Sequence, residues 1–248
     1  MTLRRTPWDD PHFGLESMEL AVTDADSDGA ALAEAEKVLS SGRVYCAAKI
    51  PMKRVFLVHA LEEKGFRFLE TQAELHLNLS KDFHLEKYLL SVAERGRIEP
   101  VSIEDFPSLL SRLDGVFDSD RICLDPALGP DVSLLRYRSW LSDRFGKDGA
   151  HISWIIADGK RAGFFFLESE GAFADSALAG LFSEFKGSGY APLIISSHIG
   201  CAKELGCRKI VTRVSMNNME SLRLHLAFGY QIASANYVMR HIGEQNER

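Results

Sequence analysis

The last third of this chain carries a hairpin signal followed by alternating strand and helix patterns, and that order constrains the fold more than any other feature. Residues 152–157 read as a strand, Asp158-Gly159 is a strong two-residue turn, and residues 163–168 form the returning strand. Residues 176–183 are a third strand. Residues 192–205 read as a helix stopped at Gly206, 209–214 as a strand, 219–228 as a helix stopped at Gly229, and 237–242 as a last strand. This succession is a mixed α/β order.

The first half alternates shorter elements. The Ala-rich segment 28–40 is periodic and predicts a helix, 44–50 a strand, and 55–64 a helix ended by Gly65. Residues 66–79 are extended, with Leu75, Leu77 and Leu79 alternating. A charged, loosely helical stretch, 81–97, connects the halves. Residues 100–116 predict a helix with Ser102 as N-cap, 118–131 an irregular loop around Pro126, Gly129 and Pro130, and 134–145 a helix. The helix ending in Gly65-Phe66 and the helix ending in Gly229-Tyr230 each lead into a strand, a faint internal repeat. The domain expectation is a smaller α/β domain over 1–97 and a larger one over 98–243.

Composition excludes some function classes. The chain has 248 residues and a formal net charge of −6. No Lys/Arg block marks a nucleic-acid or anionic-membrane footprint, so neither partner is expected. The four cysteines form no CxxC pair and read as reduced thiols, which together with an N-terminus lacking a signal-like apolar run predicts a cytoplasmic protein. No stretch approaches a membrane span. His12, His59, His76 and His84 have no ligand spacing, so no metal is expected.

Two stretches carry chemistry. Lys186-Gly187-Ser188-Gly189-Tyr190-Ala191 follows a strand and opens a helix. A helix N-terminus offers unpaired N–H groups and the positive end of a dipole, so it binds phosphate. As a dinucleotide fingerprint the loop fails, because Pro192 stands at the third glycine position; as a Walker loop it fails because no Gly-Lys-Ser/Thr follows. The second stretch runs from Asn218, a good N-cap, through Ser221, Leu224 and His225 to Gly229-Tyr230.

Together these stretches resemble the GCN5-related N-acetyltransferase (GNAT) superfamily. Lys186 to Ala191 is similar to its acetyl-CoA loop, Arg/Gln-x-x-Gly-x-Gly/Ala, and Asn218 to Tyr230 to its Asn-x-x-Ala/Ser-x-x-Leu-Tyr-x-x-x-Gly-Phe motif. The N-terminal Trp8-Asp9-Asp10-Pro11-His12-Phe13-Gly14 looks like the opening of the dTDP-fucosamine acetyltransferases, and Glu63 to Thr71 resembles the end of their first half. The resemblance implies a GNAT fold, a mixed sheet flanked by helices, with a partial GNAT-like first domain. It implies acetyl-CoA as co-substrate, held by Leu181, Phe182, Ser183, Lys186, Gly187, Ser188, Gly189, Tyr190, Ala191, Asn218 and Ser221. It implies transfer to a small-molecule primary amine, an amino-sugar nucleotide first, with Asp9 shaping the acceptor site; an amino acid, polyamine or protein amine, or a non-catalytic acyl-CoA-binding module, are the alternatives. A homodimer is compatible with this reading.

One departure matters. His225 stands where the family often has the Tyr that protonates the leaving thiolate; an imidazolium could serve, and Tyr237 is a reserve donor. Solvent could equally supply the proton. Asp175 and Glu184, flanking the strand before the loop, are candidate relays for the amine proton. Ser197-His198 makes no triad, because neighbours on a helix do not face each other.

Overall fold

Strand order in the single sheet makes the two halves of the chain interdependent. The computed structural model describes residues 1–81 and 85–243, so His84 lies outside the described residues. The strands are β1 (Thr2–Arg5), β2 (Glu16–Ala21), β3 (Val44–Pro51), β4 (Arg67–Asn78), β5 (Gly96–Pro100), β6 (Ala150–Ala157), β7 (Lys160–Glu170), β8 (Phe173–Leu181), β9 (Lys209–Ser215) and β10 (Gln231–Ile242). The helices are α1 (Asp10–Phe13), α2 (Asp28–Ser40), α3 (Val55–Glu63), α4 (Lys87–Ala93), α5 (Phe106–Ser111), α6 (Pro130–Arg144), α7 (Ala191–Glu204) and α8 (Met219–Ala227). The ten strands are ordered β1-β2-β3-β10-β4-β9-β8-β7-β6-β5. Among the described residues no helix is long and apolar enough to cross a membrane.

At the centre of this order the halves trade strands. The first half runs β2-α2-β3-α3-β4 and the second β8-α7-β9-α8-β10. In each, the first two strands pair in parallel. The third strand of each half lies beyond the third strand of the other: β10 pairs antiparallel with β3, β4 pairs antiparallel with β9, and β4 and β10 pair with each other. The repeat visible in the sequence is therefore a repeat of topology about the β4–β10 pair.

Side-chain burial follows the exchange. Ala73, Leu75 and Leu77 of β4 pack in the same cluster as Leu193, Ile195 and Ile199 of α7 and Leu222 of α8. Met239 of β10 packs with Ala31, Ala35 and Val38 of α2 and with Leu57 and Leu61 of α3. A third cluster joins Leu109 of α5 and Leu141 of α6 to Trp154, Phe164 and Phe166. Successive strand residues point to opposite faces, and Trp154 belongs to this third cluster while Ile155 belongs to the first. So α5 and α6 cover one face of the sheet and α7 and α8 the other.

Local chemistry explains most boundaries. Ser27 caps α2 by accepting from Ala30 N–H at 3.2 Å. Asp158 and Gly159 both take positive φ, 48° and 77°, as the predicted β6–β7 turn requires. Two expectations need correction. Residues 96–97, expected at the end of the connecting stretch, and Pro100, expected to start the next helix, belong instead to edge strand β5, paired with β6; Gly96 sits tight on Leu193, where an added Cβ would come within 2.5 Å of Cδ2. The helix expected over 100–116 shrinks to Phe106–Ser111, with Pro107 in its first turn and Gly115 at φ 67° beyond it. Strand β10 also starts earlier than its apolar pattern, because residues 231–234 are exposed and carry no alternation.

A small polar group is buried beneath α7 and α8. Ser176 Oγ lies 3.1 Å from His198 Nδ1, and Thr212 Oγ1 donates to the Ser176 carbonyl at 3.0 Å. His225 lies close to His198 and, like it, is buried. Burial pushes His198 down to about 3 and also lowers His225.

Two predictions follow from this packing. Leu75→Ala and Met239→Ala should each destabilise the protein by about 2–5 kcal/mol, and unfolding should stay a single transition. An early, separate loss of protection in one half only, seen by hydrogen exchange, would show that the halves are independent. The buried histidines set an acid limit. Above pH about 6.5 neither state binds their protons; below it the unfolded chain does and the folded one does not, so stability falls by about 1.4 kcal/mol per pH unit for each such histidine. His198→Asn should flatten the decline in denaturation midpoint between pH 6.5 and pH 5, and an unchanged slope would refute the assignment.

Candidate functional site

The site begins where two parallel strands part. Pairing of β8 with β9 covers Phe173↔Lys209 to Ser176↔Thr212, yet β8 continues to Leu181 and β9 to Ser215. On its other side β8 shifts register against β7: Phe166 opposes Leu178 and Leu167 opposes Ser176, leaving Ala177 as the extra residue. A bulge bends the strand that contains it and re-aims its backbone groups. Beyond Ala177 the β9-facing edge of β8 therefore has no strand partner. The buried Ser176–Thr212–His198–His225 group lies at the vertex of this opening.

The opening leads to the loop singled out in the sequence. A short 3-10 turn over Ser183–Phe185 follows β8. Gly187 and Gly189 take φ of 76° and 82°. Near Gly189 an added Cβ would meet only Tyr88 Oη at 4.0 Å, so backbone conformation rather than crowding calls for glycine there. Ser188 Oγ donates to Phe185 O at 2.5 Å. Helix α7 starts at Ala191 with Tyr190 as an N-cap residue that makes no side-chain cap bond and with Pro192 in its first turn. Among the described residues, no hydrogen-bond acceptor is recorded for the N–H groups of Gly187, Gly189 and Ala191. These N–H groups and the helix dipole suit an anion.

Cations stand around the loop. Lys186 Nζ lies 2.8 Å from Asp118 Oδ2. Tyr190 Oη donates to Asp158 Oδ2 at 2.5 Å, and Arg95 pairs with the same carboxylate at 2.5 Å. Of the other residues assigned to the cofactor, Leu181 ends β8, Ser183 Oγ donates to Asp114 O at 3.0 Å, and Phe182 is buried under the Arg112 guanidinium. Asn218 caps α8 by accepting from Ser221 N–H at 3.0 Å.

The structure separates the two candidate proton donors. His225 is on α8, with Nδ1 2.8 Å from the Ser221 carbonyl and its ring edge-on to Tyr230 at 5.0 Å. A carbonyl only accepts, so Nδ1 carries the proton and, in the neutral ring, Nε2 carries a lone pair. Tyr237 is on β10, with β4 between it and β9, and packs edge-on against Phe68 at 6.2 Å. It is not brought to the opening. Of the carboxylates, Asp175 pairs with Arg213 at 2.8 Å, whereas Glu184 is exposed and pairs with Arg112 at 2.5 Å.

A cavity of about 260 Å³ reaches the bulge from the sheet face that α6 covers. Its walls include Lys49, Glu70, Arg121, Arg136, Asp175 and Arg213. An adjoining cavity of about 70 Å³ shares Arg121 and Arg136 and is lined by Trp8 and Asp9. Asp9 is buried and accepts from Arg136 Nε at 2.5 Å, so the N-terminal segment does meet the second half at this site. Sequence reading missed Glu70 and Arg121. Glu70 shares the polar side of β4 with Gln72 and Glu74, a pattern that reads as solvent-facing; Arg121 falls in the irregular stretch.

The matching position in the first half differs. Strands β2 and β3 pair along all of β2, from Glu16↔Val44 to Ala21↔Lys49, without parting. The turn after β2 carries Asp24 and Asp26, and Asp26 is held by the terminal amine at 2.7 Å. Carboxylates replace glycines and lysine, so this turn does not repeat the anion site.

No family model matches the sequence, and no curated protein matches it either. Solved structures are similar in fold. A GCN5-related N-acetyltransferase from Sphaerobacter thermophilus has 11% identity and a TM-score of 0.65, covering 91% of this chain and 73% of that one. A functionally unknown conserved protein from Staphylococcus epidermidis has 13% identity and a TM-score of 0.64, covering 92% and 85%. A GCN5-related N-acetyltransferase from Kribbella flavida has 13% identity and a TM-score of 0.56, covering 92% and 82%. With its parted parallel strands, bulge and glycine loop, this chain has the GNAT fold.

Proposed function

We propose that this protein transfers an acetyl group from acetyl-CoA to a primary amine. The observation that carries the reading is the parting of β8 and β9 at the Ala177 bulge, continuous with the amides of Gly187, Gly189 and Ala191. The loop would hold the coenzyme pyrophosphate, with Lys186 and Arg95 nearby as cations. The pantetheine arm would run along the free edge of β8, bringing the thioester to the bulge. The resemblance of Trp8 to Gly14 favours an amino-sugar nucleotide as acceptor.

The chain's own groups supply the remaining chemistry. The deprotonated amine attacks the thioester carbonyl, forming the C–N bond and an oxyanion. Backbone N–H groups re-aimed by the bulge stabilise that charge. Neutral His225 offers the Nε2 lone pair, so it can take the proton of the new ammonium and return it to the departing thiolate as the C–S bond breaks. This role needs the neutral ring, which burial already favours.

Two measurements test the reading. Gly189→Val forces a branched side chain into positive φ and should weaken acetyl-CoA binding by about tenfold, roughly 1.4 kcal/mol; calorimetry showing unchanged affinity in a folded variant counts against the loop. His225→Phe should lower kcat by about 10²–10⁴-fold and leave acetyl-CoA affinity intact. The wild-type kcat should not decline between pH 7 and pH 9, since the relay uses neutral imidazole. A near wild-type kcat in His225→Phe passes the role to water.

A further inference from the structure

The cavity beside the Ala177 bulge holds many charges, and nearly all are matched. Lys49 pairs with Glu19 at 2.9 Å, Arg136 with Asp9 at 2.5 Å, and Asp175 with Arg213 at 2.8 Å. Asp120 accepts from Ile122 N–H and from Ser133 Oγ, both at 2.8 Å. Arg240, further along the same sheet face, faces Asp125 at 3.2 Å.

Two atoms are left over. Glu70 Oε2 and Arg121 Nη1 are sealed from solvent and have no hydrogen-bond partner among the described residues. Glu70 is only 2% exposed. The two side chains feel each other's charge, yet no ion pair closes between them. The carboxylate oxygen is a hydrogen-bond acceptor that favours a positive group, and the guanidinium N–H a donor that favours a negative one. Ser215 hydrogen-bonds the Glu70 carboxyl, and Glu19 and Asp9 add their charge around Arg121, yet these two atoms stay unbonded; an unmet buried polar atom costs about 1–3 kcal/mol, so the arrangement suits a ligand bearing both signs. Burial also raises the Glu70 carboxyl above its ordinary range. Glu70 comes from the first half, on β4, and Arg121 from the segment before α6, so the site exists only because β4 crosses into the second half's sheet.

We propose that this cavity selects an acceptor amine that also carries an anionic group, a carboxylate or a phosphate, with the ammonium on Glu70 and the anion on Arg121. This inference rests on the acetyltransferase reading, because it takes the cavity's ligand to be the acceptor. It excludes polyamines, whose second ammonium would meet Arg121. An ammonium paired with Glu70 lies on the bulge side of the sheet; Glu70 can accept its first proton, freeing the nitrogen lone pair for attack.

The test uses the full chain at saturating acetyl-CoA and reads thiol release from matched amines: an amino acid against its amide, a nucleotide-linked amino sugar against the free amino sugar, and spermidine. The expected result is at least tenfold higher kcat/KM for the anionic member of one pair, and that pair identifies whether carboxylate or phosphate is read. Arg121→Gln should raise KM for the anionic acceptor about tenfold or more and erase the preference, while Arg121→Lys retains part of it. Glu70→Gln should raise KM for both members. Preference for spermidine or for neutral amines, or an unchanged preference in a folded Arg121→Gln variant, overturns the inference. Absence of both turnover and calorimetric binding for every anionic amine also overturns it. Calorimetry with acetyl-CoA alone reports separately on the acetyltransferase reading, so the two failures are distinguishable.

Discussion

The antiparallel pairing of β4 with β10 is the constraint on which the rest of the molecule depends. Each strand leaves its own half and completes the sheet of the other, so each core closes only when both halves are folded. One side of β4 fills the core under α7 and α8 through Ala73, Leu75 and Leu77. Its other side presents Glu70 and Gln72 to the charged cavity. A slip of one residue would exchange these faces, placing leucines in the cavity and carboxylates in the core. The same register therefore fixes hydrophobic burial and the position of the candidate acceptor group.

Two kinds of buried polarity flank the parted strands, and they are handled differently. Beneath α7 and α8 the groups are uncharged: Ser176, Thr212 and two histidines whose burial keeps them neutral. On the opposite face most groups are charged and arranged in pairs, with Glu70 and Arg121 left as the exceptions. The thioester carbon would sit between a neutral proton relay and a charged recognition surface. On the proposed reading, that division would let one side manage protons while the other reads the charge of the incoming molecule.

Legibility in the sequence followed the range of the interactions. The Asp158-Gly159 turn, the Asn218 cap and the glycine loop are dictated by their own residues, so strand, helix and candidate anion site could be placed from local pattern. The repeat was faintly visible because a helix stopped by glycine is also a local feature. Strand order was not, since no residue of β4 announces that β9 and β10 will flank it. For the same reason nothing local marked Glu70 and Arg121 as facing one cavity, and Tyr237 was named as a reserve donor although β4 separates it from the parted strands. Edge strand β5 escaped because five residues beside a charged helix offer too short an alternation to recognise.

The unparted β2–β3 pair and its carboxylate-bearing turn give the first half no anion site of its own. A half without a ligand site would ordinarily be open to deletion. Here it is not, because the strand it lends and the wall it raises are still in use. The first half is therefore scaffold rather than a second site: without β4, strand β9 would lose its neighbour and the cavity its Glu70 wall.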